Sequence, residues 1–167
     1  MMGMSPNRTS ATLSPTPFEA EFIDGLKSIF EEQIAFNRLL GLKIAAVELD
    51  AVSASLAMRP ELVGNFSHQR VHGGVISAAL DTLGGMAIMA ALGARHREQS
   101  VAERLAHFGK LGTIDLRVDY LRPGVGENFH MRAQVLRLGS RIANTRMEFL
   151  GTDGKLFAAG TGVYIVS

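Results

Sequence analysis

The stretch GGVISAALDTLGGMAIMAAL, residues 73–92, decides the fold of this chain. Its residues carry a single charge, on Asp81, and they are apolar nearly all the way round a helix. A helix of this kind is either a membrane span or the buried centre of a domain. The charge near its middle, its four glycines and the lack of flanking Trp or Tyr favour the buried helix. We therefore predict one long apolar helix that the rest of the chain encloses.

Strand patterns lie on both sides of this helix. Two strands are predicted before it, over residues 43–50 and 52–59, and a polar loop over 60–71 leads into the helix. Four strands follow it, over residues 113–120, 128–138, 141–150 and 155–166. Short turns join the last three, so these strands pair in antiparallel fashion. The economical arrangement is an α+β fold in which an antiparallel sheet of about six strands wraps around the long helix.

The clearest strand pattern is the one over residues 113–120. Ile114, Leu116, Val118 and Tyr120 alternate there with polar residues, as in a strand that is buried on one face. The alternation places Thr113 with the polar residues on the outer face.

The N-terminal part of the chain divides in two. Residues 18–40 have apolar positions near helical spacing, which predicts an amphipathic helix that ends at Gly41. Residues 1–16 are rich in Ser, Thr and Pro and are predicted to be a mobile arm, with residues 17–167 forming a single domain. The arm has no apolar run long enough for a signal peptide, so we expect a cytoplasmic protein.

Composition and missing motifs exclude several kinds of function. There is no cysteine, which excludes disulfides, thiolate zinc sites and a cysteine nucleophile. The net charge of +1 gives little whole-molecule attraction to nucleic acid, and we expect neither a nucleic-acid nor a membrane partner. The five histidines show no metal-ligand spacing, and no phosphate-binding glycine loop, dinucleotide fingerprint or zinc-protease motif is present.

The chemistry is concentrated where the loop meets the helix, in NFSHQRVHGGVISAALD, residues 65–81. Gly73 and Gly74 open the helix, where backbone N–H groups lack intrahelical partners and a ligand oxygen can approach closely. The helix dipole adds positive potential there, which suits the oxyanion formed when a thioester or ester carbonyl is attacked. The alternative is that the two glycines only allow a sharp turn into the helix.

Asp81 is the second candidate group. A carboxylate among apolar helix residues costs desolvation energy unless it is partnered or protonated. Such an environment tunes a carboxyl group for work as a general base. The alternative is a structural hydrogen bond to a neighbouring backbone group.

The spacing of Gly73 and Asp81 predicts a site shared between two chains. Eight residues separate them by about 12 Å along a helix and by roughly 80° around it. An oxyanion donor and a base must both lie ~3 Å from the reacting atoms, which one helix can hardly achieve. Two antiparallel copies of the helix in a dimer would pair Gly73 of one with Asp81 of the other. Gly84 and Gly85 would allow these helices or their neighbours to approach closely.

These residues carry a resemblance to a known family. Asn65, the run His72-Gly73-Gly74, Asp81 nine residues after the histidine, and TIDLRVDYLRPG (residues 113–124) resemble the PaaI-type hotdog-fold thioesterases. The resemblance covers about residues 42–166, and the YigI-like acyl-CoA thioesterases are the nearest branch. It implies the hotdog fold, hydrolysis of an acyl-CoA thioester, and no cofactor other than the coenzyme A of the substrate. It also implies a homodimer, with a homotetramer left open.

The resemblance assigns roles to residues of this sequence. Asp81 would be the general base or nucleophile, and the Gly73 amide would form the oxyanion hole. His72 would position the loop or donate to the carbonyl, although it could also simply cap the helix. Asn65 would orient water or the carbonyl, with His68 as a local alternative because the loop is one residue longer than in many members. Thr113 would hold the attacking water.

Other residues are candidates for binding the substrate. Gly74, His68 and Phe66 lie in the same junction, and arginines could clamp the phosphates of coenzyme A; the candidates are Arg122, Arg137 and Arg141. Apolar residues around the expected pocket favour a medium or long acyl chain, namely Phe66, Met86, Ile88, Met89 and Phe108. Residues 93–112 form a linker longer than in minimal members, which would shape the acyl tunnel.

Two other functions fit the same fold. One is a hotdog module that binds acyl-CoA without turning it over. The other is a dehydratase or hydratase acting on acyl thioesters, with His72 as the base. Asp81 within the apolar helix favours hydrolysis over both.

Overall fold

A six-stranded antiparallel sheet forms the body of the molecule, in a computed structural model that describes residues 17–167. Its strands are β1 Lys43–Val47, β2 Ala51–Ala57, β5 Gly112–Tyr120, β6 Asn128–Leu138, β7 Ile142–Gly151 and β8 Leu156–Ile165. They lie in the order β1-β2-β6-β7-β8-β5, which leaves β5 at one edge. The predicted six-stranded antiparallel sheet is confirmed, whereas the predicted arm over 1–16 lies outside the described residues.

The long apolar helix is α3, Gly73–Arg95, and it packs against the sheet. Leu80, Leu83, Met86 and Ile88 have no exposed surface. Burying each such side chain contributes roughly 1.5–3 kcal/mol relative to leaving it in water, so α3 is the centre of the core. The helix is long and apolar enough to cross a bilayer, but most of it is covered by the protein itself. The prediction of an enclosed central helix is confirmed.

The N-terminal helix is broken, so the prediction of one helix over 18–40 is wrong. Helix α1, Ala20–Lys27, runs into a π-helical turn, Ser28–Gln33, and the chain then leaves the helical region at Ile34 before α2, Ala35–Leu40. The side chain of buried Asn37 stabilises the break, because its Nδ2 donates to the Phe30 carbonyl at 2.9 Å. Gly41 ends α2 with a positive φ of 75°, as predicted.

The segment over 60–71 is a small hairpin and not only a polar loop. Strands β3, Val63–Asn65, and β4, Arg70–Val71, pair in antiparallel fashion after a 3₁₀ turn at Pro60–Leu62. A Cβ on Gly64 would lie 2.6 Å from the Cα of His72, so only glycine allows this approach. The hairpin therefore fixes the residue at which α3 begins.

The linker after α3 is ordered by a cap and a buried arginine. Helix α4, Val101–Ala106, begins with a capping box between Ser100 and Glu103. Arg104 on this helix is buried, donates to Glu19 Oε1 at 2.7 Å and lies 4.7 Å from the centre of the Phe22 ring. These contacts join α4 to α1 and hold the linker in place.

Candidate active site

Asp81 is half-buried near the middle of α3, and its carboxylate is held by Thr113. The Thr113 hydroxyl donates to Asp81 Oδ1 at 2.9 Å. Thr113 is the second residue of β5, so the contact joins the core helix to the edge of the sheet. The structure thus brings together two of the predicted site residues that are 32 positions apart in the chain.

A β-bulge at Ile114 makes this contact possible. Thr113 lies opposite Tyr164 and Asp115 lies opposite Val163, so Ile114 is the additional residue in β5. The bulge turns Thr113 towards α3, the face on which Leu116 and Val118 also pack against the core. The predicted placement of Thr113 on the outer face is wrong, since strict alternation does not hold across a bulge.

Both tyrosines of the chain donate to backbone carbonyls of α3. The Tyr120 hydroxyl donates to the Gly73 carbonyl at 2.9 Å, and the Tyr164 hydroxyl donates to the Asp81 carbonyl at 3.2 Å. Burial, reinforced by the nearby Asp81 charge, raises the pKa of Tyr164 well above its ordinary value, so it remains a donor. A Cβ on Gly84 would lie 2.3 Å from the Tyr164 hydroxyl, so Gly84 permits this contact.

The tyrosines were not identified as site residues from the sequence. A partly apolar strand position does indicate that a tyrosine hydroxyl needs a partner. The partner here is a main-chain carbonyl on another element. Every residue has such a carbonyl, so the sequence does not identify which one accepts the hydrogen bond.

The first turn of α3 leaves one backbone donor available. His72 caps the helix, because its Nδ1 accepts from the Gly74 N–H at 2.8 Å. The N–H groups of Val75 and Ile76 both donate to the His72 carbonyl. Within residues 17–167, the Gly73 N–H has no acceptor. A neutral His72 in this arrangement carries its proton on Nε2 and presents it as a second donor.

A cavity of about 260 Å³ opens beside Asp81. Its polar residues are Asn37, Asp81, Thr82, Thr113 and Tyr164, and its apolar residues are Phe30, Ile34, Phe36, Phe108 and Leu111, with Gly85 and Gly112 completing the lining. A cavity that combines a carboxylate with an apolar wall suits a molecule with a polar reacting group and an alkyl chain.

A second, more apolar groove of about 300 Å³ lies beside His72 and Gly74. Phe36 and Leu39 form part of its wall, and both are more than half exposed. Phe36 lines both spaces, so the groove and the Asp81 cavity are neighbours.

The model of the thioesterase superfamily matches residues 68–158, which include His72, Gly73, Asp81 and Thr113. The chain belongs to this superfamily. This thioesterase is a thioester hydrolase with the hotdog fold, and the resemblance stated from its motifs is confirmed.

Relatives cover most of this thioesterase. It is 36% identical over 138 residues to medium/long-chain acyl-CoA thioesterase YigI of Escherichia coli K12, which covers 83% of this chain and 89% of that protein. A crystal structure from Shewanella oneidensis, described as related to the thioesterase superfamily, is 39% identical with a TM-score of 0.83, covering 91% of this chain and 99% of that one. The crystal structure of a candidate thioesterase from Syntrophus aciditrophicus is 35% identical with a TM-score of 0.76, and the match covers 87% of this chain and 95% of that one.

Three predicted site residues of the thioesterase lie at the exposed end of the small hairpin, where Asn65 ends β3 and Phe66 and His68 follow in the turn to β4. The side chain of Asn65 accepts from the Ser67 N–H at 3.1 Å, and the His68 N–H donates to the Asn65 carbonyl. Phe66 is 83% exposed, and it lines neither the Asp81 cavity nor the groove beside His72. This turn lies close to the start of α3, and the structure does not bring its side chains to Asp81 of the same chain.

The three arginines expected to bind phosphate do not form a common clamp within one chain. Arg122 follows β5 and donates to the Leu156 carbonyl. Arg137 and Arg141 flank the turn after β6, whose carbonyls accept from Arg95 at the last turn of α3. The last turn of α3, and with it the turn between Arg137 and Arg141, lies about 33 Å along the helix from Gly73, the first residue of α3.

The apolar residues expected around the pocket lie in different parts of the structure. Met86, Ile88 and Met89 are fully buried in the core, and they line neither the Asp81 cavity nor the groove beside His72. Phe108 lines the Asp81 cavity, and with Leu111 it shows that the linker over 93–112 does contribute to that cavity. Among residues 17–167, no cluster of three His, Asp or Glu side chains could hold a metal ion.

Proposed function

We propose that this protein hydrolyses medium- or long-chain acyl-CoA, using a water molecule activated by Asp81 in a site that two subunits share. One observation carries the proposal: the Asp81 carboxylate, held by Thr113, opens onto a cavity with a polar and an apolar part. The likeness to the YigI thioesterase of Escherichia coli supports acyl-CoA as the substrate class.

The reaction proceeds in two steps. Asp81 accepts a proton from water, the resulting hydroxide oxygen bonds to the thioester carbon, and the carbonyl becomes an oxyanion. The Gly73 N–H, and the Nε2–H of His72, donate to that oxyanion. The intermediate then collapses, the carbon–sulfur bond breaks, and the proton held by Asp81 passes to the departing thiolate. The products are the free acid and coenzyme A.

The cap geometry at His72 favours hydrolysis over the dehydratase alternative. The dehydratase would need His72 as a base, with a free nitrogen lone pair. Its Nδ1 lone pair already accepts from Gly74, and in the neutral ring the other nitrogen carries the proton. His72 is therefore suited to donate a hydrogen bond and poorly suited to accept a proton.

The edge strand β5 is the surface through which two subunits would pair. It is nine residues long and contains no proline, and in the sheet it has β8 on one side and no strand on the other. Ile114 and Tyr120 on it are more than half exposed. A long edge strand with unpaired backbone groups can pair with another strand, here the same strand of a second copy.

Such pairing would complete the site. In one chain Tyr120 holds Gly73, and Thr113 holds Asp81, at opposite ends of β5. A two-fold antiparallel pair centred between Leu116 and Arg117 places position 120 of one strand opposite position 113 of the other. Gly73 then faces the partner subunit's Asp81. The exposed turn with Asn65 would approach the same shared site, and each dimer would contain two sites.

Thiol release from a panel of acyl-CoAs, from acetyl to palmitoyl, tests the proposed activity. We expect turnover to rise from acetyl towards the medium- and long-chain substrates. The protein has no cysteine and contributes no background to a thiol-reactive dye. Tight binding of acyl-CoA with no thiol release from any substrate would contradict the enzyme and favour the binding module.

A mixing experiment tests whether the site is shared. One variant lacks the base, Asp81→Asn, and the other lacks the oxyanion donor, Gly73→Pro. When equal amounts are unfolded and refolded together, half of the dimers are mixed, and each of these has one intact site out of two. We expect recovery of about a quarter of wild-type activity. Each variant refolded alone is the control, and mixed dimers without recovered activity would contradict a shared site.

A further inference from the structure

The cavity beside Asp81 runs along α3 from a polar end to an apolar end. Asp81, Thr82 and Gly85 lie on one face of α3, so the cavity extends about 6 Å along the helix from the carboxylate to Gly85. Thr113 and Tyr164 both hydrogen-bond to Asp81, which makes this end of the cavity polar. The Gly85 end is apolar, since Leu111 and Phe30 supply the atoms nearest to that glycine.

Two segments outside the core helix and sheet close the apolar end. Phe30 comes from the π-helical turn after α1, and Phe108 comes from the linker after α4. Their rings meet edge to face, with centroids 5.5 Å apart. Leu111 follows on the same linker and lines the cavity. The end wall therefore depends on contacts between the N-terminal helices and the linker.

The side wall formed by α2 is tied to the catalytic helix. The Thr82 hydroxyl donates to Asn37 Oδ1 at 3.0 Å, and Asn37 is only 2% exposed. The residue next to Asp81 thus anchors α2, and with it Phe36, beside the cavity. An acyl chain placed here would meet a fixed wall.

Gly85 is the position at which a side chain would change the depth of this cavity. A Cβ built on Gly85 would lie 3.2 Å from Leu111 Cδ2 and 3.9 Å from Phe30 Cε1. The first distance is tighter than ordinary van der Waals contact, so Leu111 would have to move slightly. Larger side chains at Gly85 would occupy space between the carboxylate and the end wall.

We propose that Gly85 and Leu111 together set the length of acyl chain that this enzyme accepts. The inference rests on the proposed acyl-CoA hydrolysis at Asp81. The thioester lies at the polar end, and the alkyl chain extends from Asp81 towards Gly85 and Leu111. Each methylene that enters the apolar end tightens binding by about four-fold, equivalent to ~0.8 kcal/mol. Methylenes beyond the end wall add nothing.

Enlarging the side chain at Gly85 and shortening the side chain at Leu111, separately and together, tests this assignment. In Gly85→Val, we expect kcat/KM to fall at least ten-fold more for hexanoyl-CoA and lauroyl-CoA than for acetyl-CoA, whose acyl group ends before it reaches Gly85. In Leu111→Ala the optimum moves to longer chains, and in the double variant it returns towards that of the wild type. Gly109→Val is the matched control, because Gly109 has no atom within 4 Å of a built Cβ. Gly85→Ala is a milder step, and alanine's higher helix propensity favours folding.

Binding measurements separate this inference from the proposed function. The Kd of each acyl-CoA is measured by calorimetry in the Asp81→Asn background, with and without Gly85→Val. We expect the four-fold gain per methylene to stop at a shorter chain in the variant that carries Gly85→Val. Equal losses for all chain lengths, in turnover and in binding, would overturn the assignment. If no acyl-CoA is hydrolysed but the break in binding still shifts, the proposed hydrolysis fails while the chain-length assignment stands.

Discussion

Asp81→Asn lowers kcat for acyl-CoA hydrolysis by a factor of about 10²–10⁴, the usual contribution of a positioned general base. The asparagine amide has nearly the same size as the carboxylate, and its oxygen can still accept from Thr113. It cannot take a proton from water, so the loss falls on the chemical step. Single-turnover thiol release with the best acyl-CoA of the panel measures it directly.

The control for this variant is Asp24→Asn, a substitution of the same kind at an exposed position of α1. We expect Asp24→Asn to keep wild-type turnover. Circular dichroism and size-exclusion chromatography should show the same fold and assembly for both variants. An Asp81→Asn protein that retains more than about a tenth of wild-type kcat would show that Asp81 is not the base.

Gly73→Pro removes one backbone N–H and is expected to lower kcat by about 10²–10³, the typical cost of losing one oxyanion donor. Gly73 is the first residue of α3, a position at which proline is well tolerated. His72 before it has φ −65° and ψ 136°, the extended conformation that a residue preceding proline prefers. The helix should therefore form normally, and since proline and alanine both add a Cβ 3.3 Å from the Tyr120 ring, we expect similar thermal midpoints for Gly73→Pro and Gly73→Ala.

The matched control is Gly73→Ala, which keeps the N–H. A Cβ at this position would lie 3.3 Å from the edge of the Tyr120 ring, a contact that small movements of the ring relieve. We expect Gly73→Ala to retain far more activity than Gly73→Pro. Equal activity in the two variants would remove the Gly73 amide from the mechanism.

The elements of the fold could be predicted because each depends on a local pattern. The apolar run over 73–92 predicts a buried helix, and period-two alternation predicts strands, since both patterns reflect which side chains are removed from water. The positions of Gly73 and Asp81 within that helix were informative for a related reason. A charge in an apolar helix and a glycine pair at its start are locally unusual, and local departures of this kind mark candidate sites.

Contacts between distant segments could not be predicted in the same way. The bulge at Ile114 reverses the face of Thr113, yet a bulge depends on pairing between β5 and β8 and leaves no clear trace in the alternation. The break at Ile34 depends on Asn37, a polar residue whose burial only the packed structure shows. The positions of the arginines could not be predicted for the same reason, because only the packed structure shows that the segment at Arg122 lies by the start of α3 and the turn between Arg137 and Arg141 by its end.

The sequence by itself determined the central helix, the strand order along the chain, and the two groups, Gly73 and Asp81, that chemistry singles out. Local periodicity and the cost of burying a charge are properties of short segments, so they are visible without a structure. Only the tertiary structure decided that Thr113 and the two tyrosines hold these groups and that Gly85 faces an apolar wall. Those contacts join residues far apart in the chain, and their energies exist only once the chain has packed.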